Sequence, residues 1–147
     1  MKSRIISSGV YKKGEISIND LIYTLKQIPE ENKTGAIAIY NGVVRGTTAS
    51  NERVSELIIE SHVEKSNEIL QNISHDLEKK EGINKVLICH FIGEFEVGED
   101  LVYVGVASGH RKELFPIYKE AIERYKTEGL FWKKEKTTEG KEYWIEK

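Results

Sequence analysis

Residues 85–107 read KVLICHFIGEFEVGEDLVYVGVA, and this stretch determines which fold class the chain can adopt. Two apolar runs within it, residues 85–92 and 101–107, have the length and composition of buried strands. The glycine-containing acidic segment between them predicts a hairpin excursion. A second hairpin is predicted at the C-terminus, where residues 131–135 and 142–145 flank the turn sequence TTEGK. Two hairpins interrupt the alternation of strands and helices, so the chain is predicted to be an α+β protein.

Strands and helices are predicted on both sides of the first hairpin. A helix should begin after Ser17, which has the spacing of a capping box with Asp20, and should end at Pro29. A second helix is predicted over residues 63–77, with Gly82 as its stop signal. Two further strands are predicted, over residues 35–40 and 54–60.

The third predicted helix follows the strand over residues 101–107. Pro116 fits an α-helix only near its first turn, so the regular helix is expected to start at Lys112 or Glu113. Apolar and aromatic residues at helical spacing define its core face: Leu114, Tyr118, Ala121 and Tyr125.

Length and composition limit the class of protein. The 147 residues, with neither a repeat nor a linker, fit one domain over residues 1–147. A net charge of -2 gives no reason to expect nucleic acid or an anionic membrane as a partner. No apolar run has the length of a signal peptide or a transmembrane helix, so we expect a cytoplasmic protein. The single cysteine, Cys89, excludes an intrachain disulfide and is expected to be a small buried hydrophobic residue.

Basic residues stand at the ends of several predicted elements. Arg45 follows a strand, His110 and Arg111 form a strand-to-helix junction, and Lys126 and Lys133 flank the turn at residue 129. Helix N-termini and arginine side chains both bind phosphate and carboxylate groups well. This placement suggests an anion site. No nucleotide-binding loop, metal-ligand spacing or nucleophile motif is present in the sequence.

Helical spacing puts Phe115, Ile122 and Lys126 on one flank of the third helix, so Lys126 is expected at the border of the buried face. A lysine at such a border, partly desolvated and close to other cations, would have its pKa lowered toward the range of an acid–base catalyst. A plainer interpretation is also open. Lys133 could belong to the solvated face of an edge strand, and His110 could be a helix cap.

Several segments, taken in order, resemble the large, catalytic subunit of molybdopterin synthase. The resemblance extends from about residue 35 to residue 144. The matching segments are GA at 35–36, YNGVVR at 40–45, HFIGE at 90–94, VGE at 97–99, VGVASGHR at 104–111, YKT at 125–127, FWKKE at 131–135, EG at 139–140 and Trp144.

The resemblance implies a fold, an activity and partners. The fold would be a single α/β-hammerhead-like domain with an added antiparallel β subdomain. The protein would be a homodimer that binds a small ubiquitin-like sulfur carrier at each end, giving a heterotetramer. The carrier's C-terminal Gly-Gly thiocarboxylate would transfer sulfur to cyclic pyranopterin monophosphate, and two transfers would form the molybdopterin dithiolene. Such a sulfurtransferase needs neither a metal nor an organic cofactor.

The resemblance also implies roles for individual residues. Lys126 and Lys133 match the family's two reaction-centre lysines. The predicted substrate-binding residues are Arg45, His110 and Arg111, together with Tyr40 and Ile122.

The sequence departs from the family pattern at three points. The proline that often precedes the Phe-Trp-Lys segment is Leu130 here, and His62 stands where a tyrosine is common. The chain reaches only to Lys147, whereas many relatives continue into a basic tail that contributes to the partner subunit's pocket. An alternative function, from another class, is a non-catalytic module that binds a ubiquitin-like C-terminal tail or a phosphate-bearing small molecule.

Overall fold

The computed structural model describes residues 2–27 and 33–145. The predicted helix stop at Pro29, like the terminal Lys147, lies outside these residues. In chain order the elements are β1 (Gly9–Lys12), α1 (Ile18–Lys26), β2 (Ala36–Val43), β3 (Val54–Ser61), α2 (Val63–Glu78), β4 (Ile83–Phe95), β5 (Asp100–Ser108), α3 (Arg111–Glu128), β6 (Phe131–Thr137) and β7 (Glu142–Ile145).

The strands form one sheet in the order β2-β5-β4-β3-β6-β7, and β1 pairs with β4 in parallel. The other pairings are antiparallel. Strands β3, β6 and β7 form the antiparallel extension that the fold prediction contains, and the predicted α+β class is confirmed.

Strand β4 joins the two parts of the sheet because it changes partner along its length. Its first part pairs with β5, and its end pairs with β3 from Gly93 to Phe95. Gly93 has a φ of 127°, which favours glycine and lets the strand change direction there. The predicted strand ended at Ile92, three residues too early, because the local sequence does not show that β3 would pair with the following residues.

The helices cover the sheet and enclose one hydrophobic cluster. The predicted capping box of α1 is confirmed: Ser17 Oγ accepts from the Asp20 N–H, and the Asp20 carboxylate accepts from the Ser17 N–H. Leu25 packs so closely on Gly105 of β5 that a Cβ there would lie 2.6 Å from its Cδ1. Cys89 is buried as predicted, and burial raises the pKa of its thiol to about 12.

Helix α3 begins at Arg111, one residue before the start expected around Lys112 or Glu113. Pro116 lies inside the helix, where its ring faces solvent and it lacks only the N–H that would bond to Lys112. An exposed helix edge tolerates this loss. The buried face consists of Leu114, Ile117, Ala121 and Tyr125, while the predicted core residue Tyr118 is only partly buried.

Candidate active site

A cavity of about 510 Å³ lies where the end of α3, the start of β6 and the residues after β2 meet. Its charged lining residues are Arg45, Lys126, Lys133 and Glu135. The remaining lining is mainly apolar and aromatic, with Val43, Val44, Leu57, His90, Leu101, Tyr125, Phe131 and Ile145. Three cations and one carboxylate in such a lining favour a small anionic ligand.

Strand β6 places Lys133 in the cavity. Because side chains alternate along a strand, Phe131, Lys133 and Glu135 share one face, and all three line the cavity. The Lys133 ammonium is largely removed from water and has no hydrogen bond or ion pair with any residue in the described part of the chain. Burial, with a smaller contribution from the charge of Lys126, lowers the pKa of Lys133 to about 8.

Helix α3 delivers Lys126 to the same cavity from the other side. Its Nζ lies 5.7 Å from the ring centroid of Tyr40, a cation–π distance. Tyr40 in turn shares a side-chain hydrogen bond with Tyr125, whose pKa is raised chiefly by burial. Lys126 lines the cavity, as expected for a residue at the border of the buried face, but it is exposed, so the partial desolvation expected of Lys126 is found at Lys133 instead. Its flank neighbour Phe115 is solvent-exposed, and Ile122 is partly buried against the core.

Arg45 and Glu135 carry opposite charges into the cavity. Arg45 is exposed, so its guanidinium is available to a ligand entering from solvent. Burial raises the pKa of Glu135, and the positive charge of Arg45 opposes that shift. Glu135 limits the net positive charge that the cavity presents to a ligand.

The turn between the two lysines is held by hydrogen bonds to Leu130. Its carbonyl accepts from Ser61 Oγ at 2.7 Å and from Ser66 Oγ at 3.2 Å. Gly129 lies so close to α3 that a Cβ there would be 2.6 Å from the Tyr125 carbonyl oxygen. These contacts hold the turn at Leu130, the position where the resemblance leads us to expect a proline.

The structure separates His110 and Arg111 from the lysine cavity. Both line a second, more open depression of about 580 Å³ at the start of α3, beside Gly35 and Ala36. His110 occupies the N-cap position, but its side chain makes no capping hydrogen bond. Of the predicted site residues, Arg45, Lys126 and Lys133 therefore line the same cavity. Tyr40 contacts Lys126 through its ring. His110, Arg111 and Ile122 do not line this cavity.

Glu135 and His90 line the cavity but were not among the predicted site residues. Glu135 follows Lys133 by two positions, so strand alternation could have placed it on the same face. His90 lies in an apolar run whose pattern indicates only a buried strand. Nothing local shows that its ring would lie under the cavity.

The described residues contain no group of three or more His, Cys, Asp or Glu side chains arranged to hold a metal ion. Within the same residues, no helix is long and apolar enough to cross a membrane. His62 caps α2, where its Nδ1 accepts from the Lys65 N–H, and His75 is exposed on that helix.

The fold and the cavity define a class: an α+β protein with a lysine-lined cavity. A sequence profile described as MoaE protein matches residues 11–128. The chain is 34% identical over 131 residues to a probable molybdopterin synthase of Haloferax volcanii, covering 88% of this chain and 50% of that protein. It is 33% identical over 145 residues to the molybdopterin synthase catalytic subunit of Pyrococcus abyssi, covering 99% of this chain and 93% of that protein.

Solved structures show the same fold. Molybdopterin synthase from Staphylococcus aureus has a TM-score of 0.83 at 24% identity, covering 98% of this chain and 100% of that one. A chain in a complex of subunits 1 and 2 of the molybdopterin-converting factor from Helicobacter pylori has a TM-score of 0.70 at 16% identity, covering 98% of this chain and 90% of that one. The chain belongs to the MoaE family, whose curated members are named molybdopterin synthase catalytic subunits.

Proposed function

We propose that the chain is a sulfurtransferase, the catalytic subunit of a molybdopterin synthase. It would transfer sulfur from the thiocarboxylate of a small ubiquitin-like carrier to cyclic pyranopterin monophosphate. Both reactants are anions, and the cavity with Arg45, Lys126 and Lys133 offers three cations to hold them.

The observation that supports this proposal most strongly is the state of Lys133. A largely buried ammonium without a hydrogen bond or an ion pair in the described residues is unfavourable in the free protein. An anion in the cavity would supply the missing partner. With a pKa of about 8, roughly one-tenth of Lys133 would carry no proton at pH 7, so it can both donate and accept one.

The reaction requires charge stabilisation and proton transfer. A carbon–sulfur bond forms at a substrate carbon as a carbon–oxygen bond of that carbon breaks, and the oxygen leaves as water or with the phosphate. The bond between sulfur and the carrier's carbonyl carbon then breaks, with water supplying the oxygen that restores the carrier's carboxylate. The ammonium groups of Lys126 and Lys133 would stabilise the negative charge that develops on the carbonyl oxygen. Lys133 would exchange the protons, and Arg45 at the exposed side would bind the phosphate.

The proposal includes an assembly. A Gly-Gly terminus has no side chains, so the carrier's tail could enter the cavity as an extended chain. The Helicobacter pylori protein of the same fold is a complex of two different subunits. We propose a homodimer of this chain with one carrier at each end, a heterotetramer that mass measurement in solution would detect.

The test is a reconstitution with purified protein, thiocarboxylated carrier and cyclic pyranopterin monophosphate, with the fluorescent oxidised pterin as readout. The wild type should form product. Lys126→Ala should lower turnover by at least about a hundredfold, in the range for loss of a charge-stabilising or proton-transferring group, while carrier binding is largely retained. Near-normal turnover of Lys126→Ala would remove that residue from the mechanism.

Lys134→Ala is the matched control. Lys134 is adjacent to Lys133 but points away from the cavity, where it pairs with Glu142 at 3.2 Å and lies over Trp144. Its loss should leave turnover near that of the wild type. If the wild type binds the carrier and forms no product, the enzyme proposal fails and the non-catalytic binding module is the better description.

A further inference from the structure

His90 is a fully buried histidine beneath the lysine cavity. Its ring stacks on Phe131 with centroids 3.8 Å apart, and it meets the ring of Tyr125 edge-on at 5.8 Å. Phe131 is on the same strand face as Lys133, and Tyr125 precedes Lys126 on α3. The imidazole therefore lies between the two elements that carry the reaction-centre lysines.

The two ring nitrogens of His90 differ in their partners. Nδ1 lies 2.9 Å from the Phe91 carbonyl oxygen, which only accepts, so Nδ1 carries the hydrogen and donates it. Nε2 is then a bare acceptor. It is buried from solvent and has no partner in the described part of the chain. Burial and the charge of Lys133 lower the pKa of His90 to about 3, so the ring is neutral at physiological pH.

Lys133 can supply the hydrogen-bond donor that His90 Nε2 lacks. Its ammonium has three N–H donors and no hydrogen-bond partner in residues 2–27 and 33–145, it lines the same cavity as His90, and its charge acts on that ring. Lys126 is positioned over the Tyr40 ring instead. Lys133 has a flexible stem that can redirect its ammonium toward Nε2 by rotation of side-chain torsions.

We propose that His90 is a positioning residue: its Nε2 accepts a hydrogen bond from the Lys133 ammonium and so directs that ammonium within the cavity. The bond would connect the Lys133 ammonium, through the imidazole, to the Phe91 carbonyl. It satisfies both unpaired groups at once. This inference rests on the proposed function only in linking Lys133 to the reaction.

The bond predicts an effect on the protonation of Lys133. The other titratable groups that line the cavity around it are Lys126 and Tyr125 from α3, Arg45 after β2, and Glu135 on its own strand. An acceptor at Nε2 stabilises the ammonium form, whereas the cations destabilise it. Loss of the acceptor should therefore lower the pKa of Lys133 further.

Two substitutions separate this role from packing. His90→Phe keeps an aromatic ring for Phe131 and removes both nitrogens, whereas His90→Gln removes the ring and can place an amide oxygen near the Nε2 position. NMR titration of carbon-labelled lysine side chains, with the Lys133 signal assigned by its absence in Lys133→Met, measures the result. His90→Phe should lower the pKa of Lys133 by about one unit, and His90→Gln should leave it near the wild-type value. An unchanged pKa in a folded His90→Phe variant overturns the proposal, as does an equal shift in both variants.

A second measurement needs no change at His90. In protein with nitrogen-labelled histidine, Lys133→Met should move the His90 Nε2 resonance toward that of a nitrogen without a hydrogen bond. A resonance unaffected by Lys133→Met overturns the proposal even if the His90 variants fail to fold. Neither measurement uses the carrier or the pterin, so their failure and a failed reconstitution are distinguishable.

Discussion

An ammonium without an ion-pair partner inside a folded protein costs stability, and among the described residues Lys133 has no such partner. At the scale of the residue, burial of the Lys133 ammonium lowers the stability of the fold and also lowers the pKa of Lys133, so that this group can exchange a proton near neutral pH. Replacing such a group with an apolar one of similar shape separates stability from activity. Methionine is suitable because it is unbranched and adapts to irregular apolar surroundings.

Lys133→Met should raise the free energy of unfolding by about 1 to 2 kcal/mol at pH 7, a range that allows for solvent screening in the partly open cavity. The same substitution should abolish sulfur transfer. The sign follows from the pKa of Lys133, which is lowered from 10.5 to about 8 in the folded protein. Between these values the unfolded chain binds more protons, so wild-type stability should rise with pH in that window. Below pH 8, Lys133 is charged in both the folded and the unfolded chain, so the full desolvation cost of its ammonium lowers the free energy of unfolding. Urea unfolding at pH 7 and pH 10 should show that the substitution flattens this rise.

The control for that prediction is Lys134→Met, at an ion-paired position outside the cavity. Its stability should change by no more than about 0.5 kcal/mol at either pH. A Lys133→Met protein less stable than the wild type at pH 7 would contradict a desolvation cost at this site.

The candidate site was only partly predictable at this scale. Arg45, Lys126 and Lys133 could be selected because Arg45 follows a predicted strand and the two lysines flank the predicted turn at residue 129. His90 could not, since its chemical interest comes from an unpaired Nε2 and a stacked Phe131 that lies 41 positions away in the chain. Such properties arise from tertiary packing.

At the scale of the element, the turn from α3 to β6 sets the relation between the two lysines. Gly129 approaches α3 closely, and Ser61 and Ser66 hold the Leu130 carbonyl. A Cβ at position 129 would lie 2.6 Å from the Tyr125 carbonyl oxygen and 2.9 Å from the Phe131 ring. Relief of these contacts requires the last turn of α3 or the start of β6 to shift.

Gly129→Ala should therefore lower the free energy of unfolding by about 1 to 3 kcal/mol and also reduce turnover in reconstitution. The activity falls because the shift displaces Lys133 relative to Lys126. Gly140→Ala is a matched control, because Gly140 has a φ of 85° in open space in the β6–β7 hairpin, outside the cavity lining. It should lose about 1 kcal/mol of stability and keep normal turnover. Equal activity losses in both variants would contradict a specific role for the turn.

Elements were predictable where their signals are local. The capping box at Ser17 and the C-terminal hairpin depend on neighbouring residues, and both were correctly predicted. The extension of β4 to Phe95 depends on pairing with β3, more than thirty positions earlier in the chain. The start of α3 was expected one residue late because Pro116 lies on an exposed helix edge, which the sequence alone does not show.

At the scale of the whole molecule, five of the predicted site residues are divided between two depressions in the described part of the chain, whereas Tyr40 and Ile122 line neither. Lys126, Lys133 and Arg45 line one, and His110 and Arg111 line the other. In a homodimer, the second depression of one copy could complete the lysine cavity of its partner. A closed twofold arrangement would then form two composite sites at once.

Mixed dimers test whether Lys126 and Arg111 act from different copies. Lys126→Ala and Arg111→Ala should each be inactive alone, because every site in either homodimer lacks one group. After unfolding and refolding as an equal mixture, half of the dimers contain one copy of each variant. In each of these, one site has both substitutions and the other has neither, so activity should recover to about a quarter of the wild-type value. If both groups act within one copy, every site in the mixture carries a substitution and no activity returns, which would place Arg111 in the same chain's site or outside the reaction.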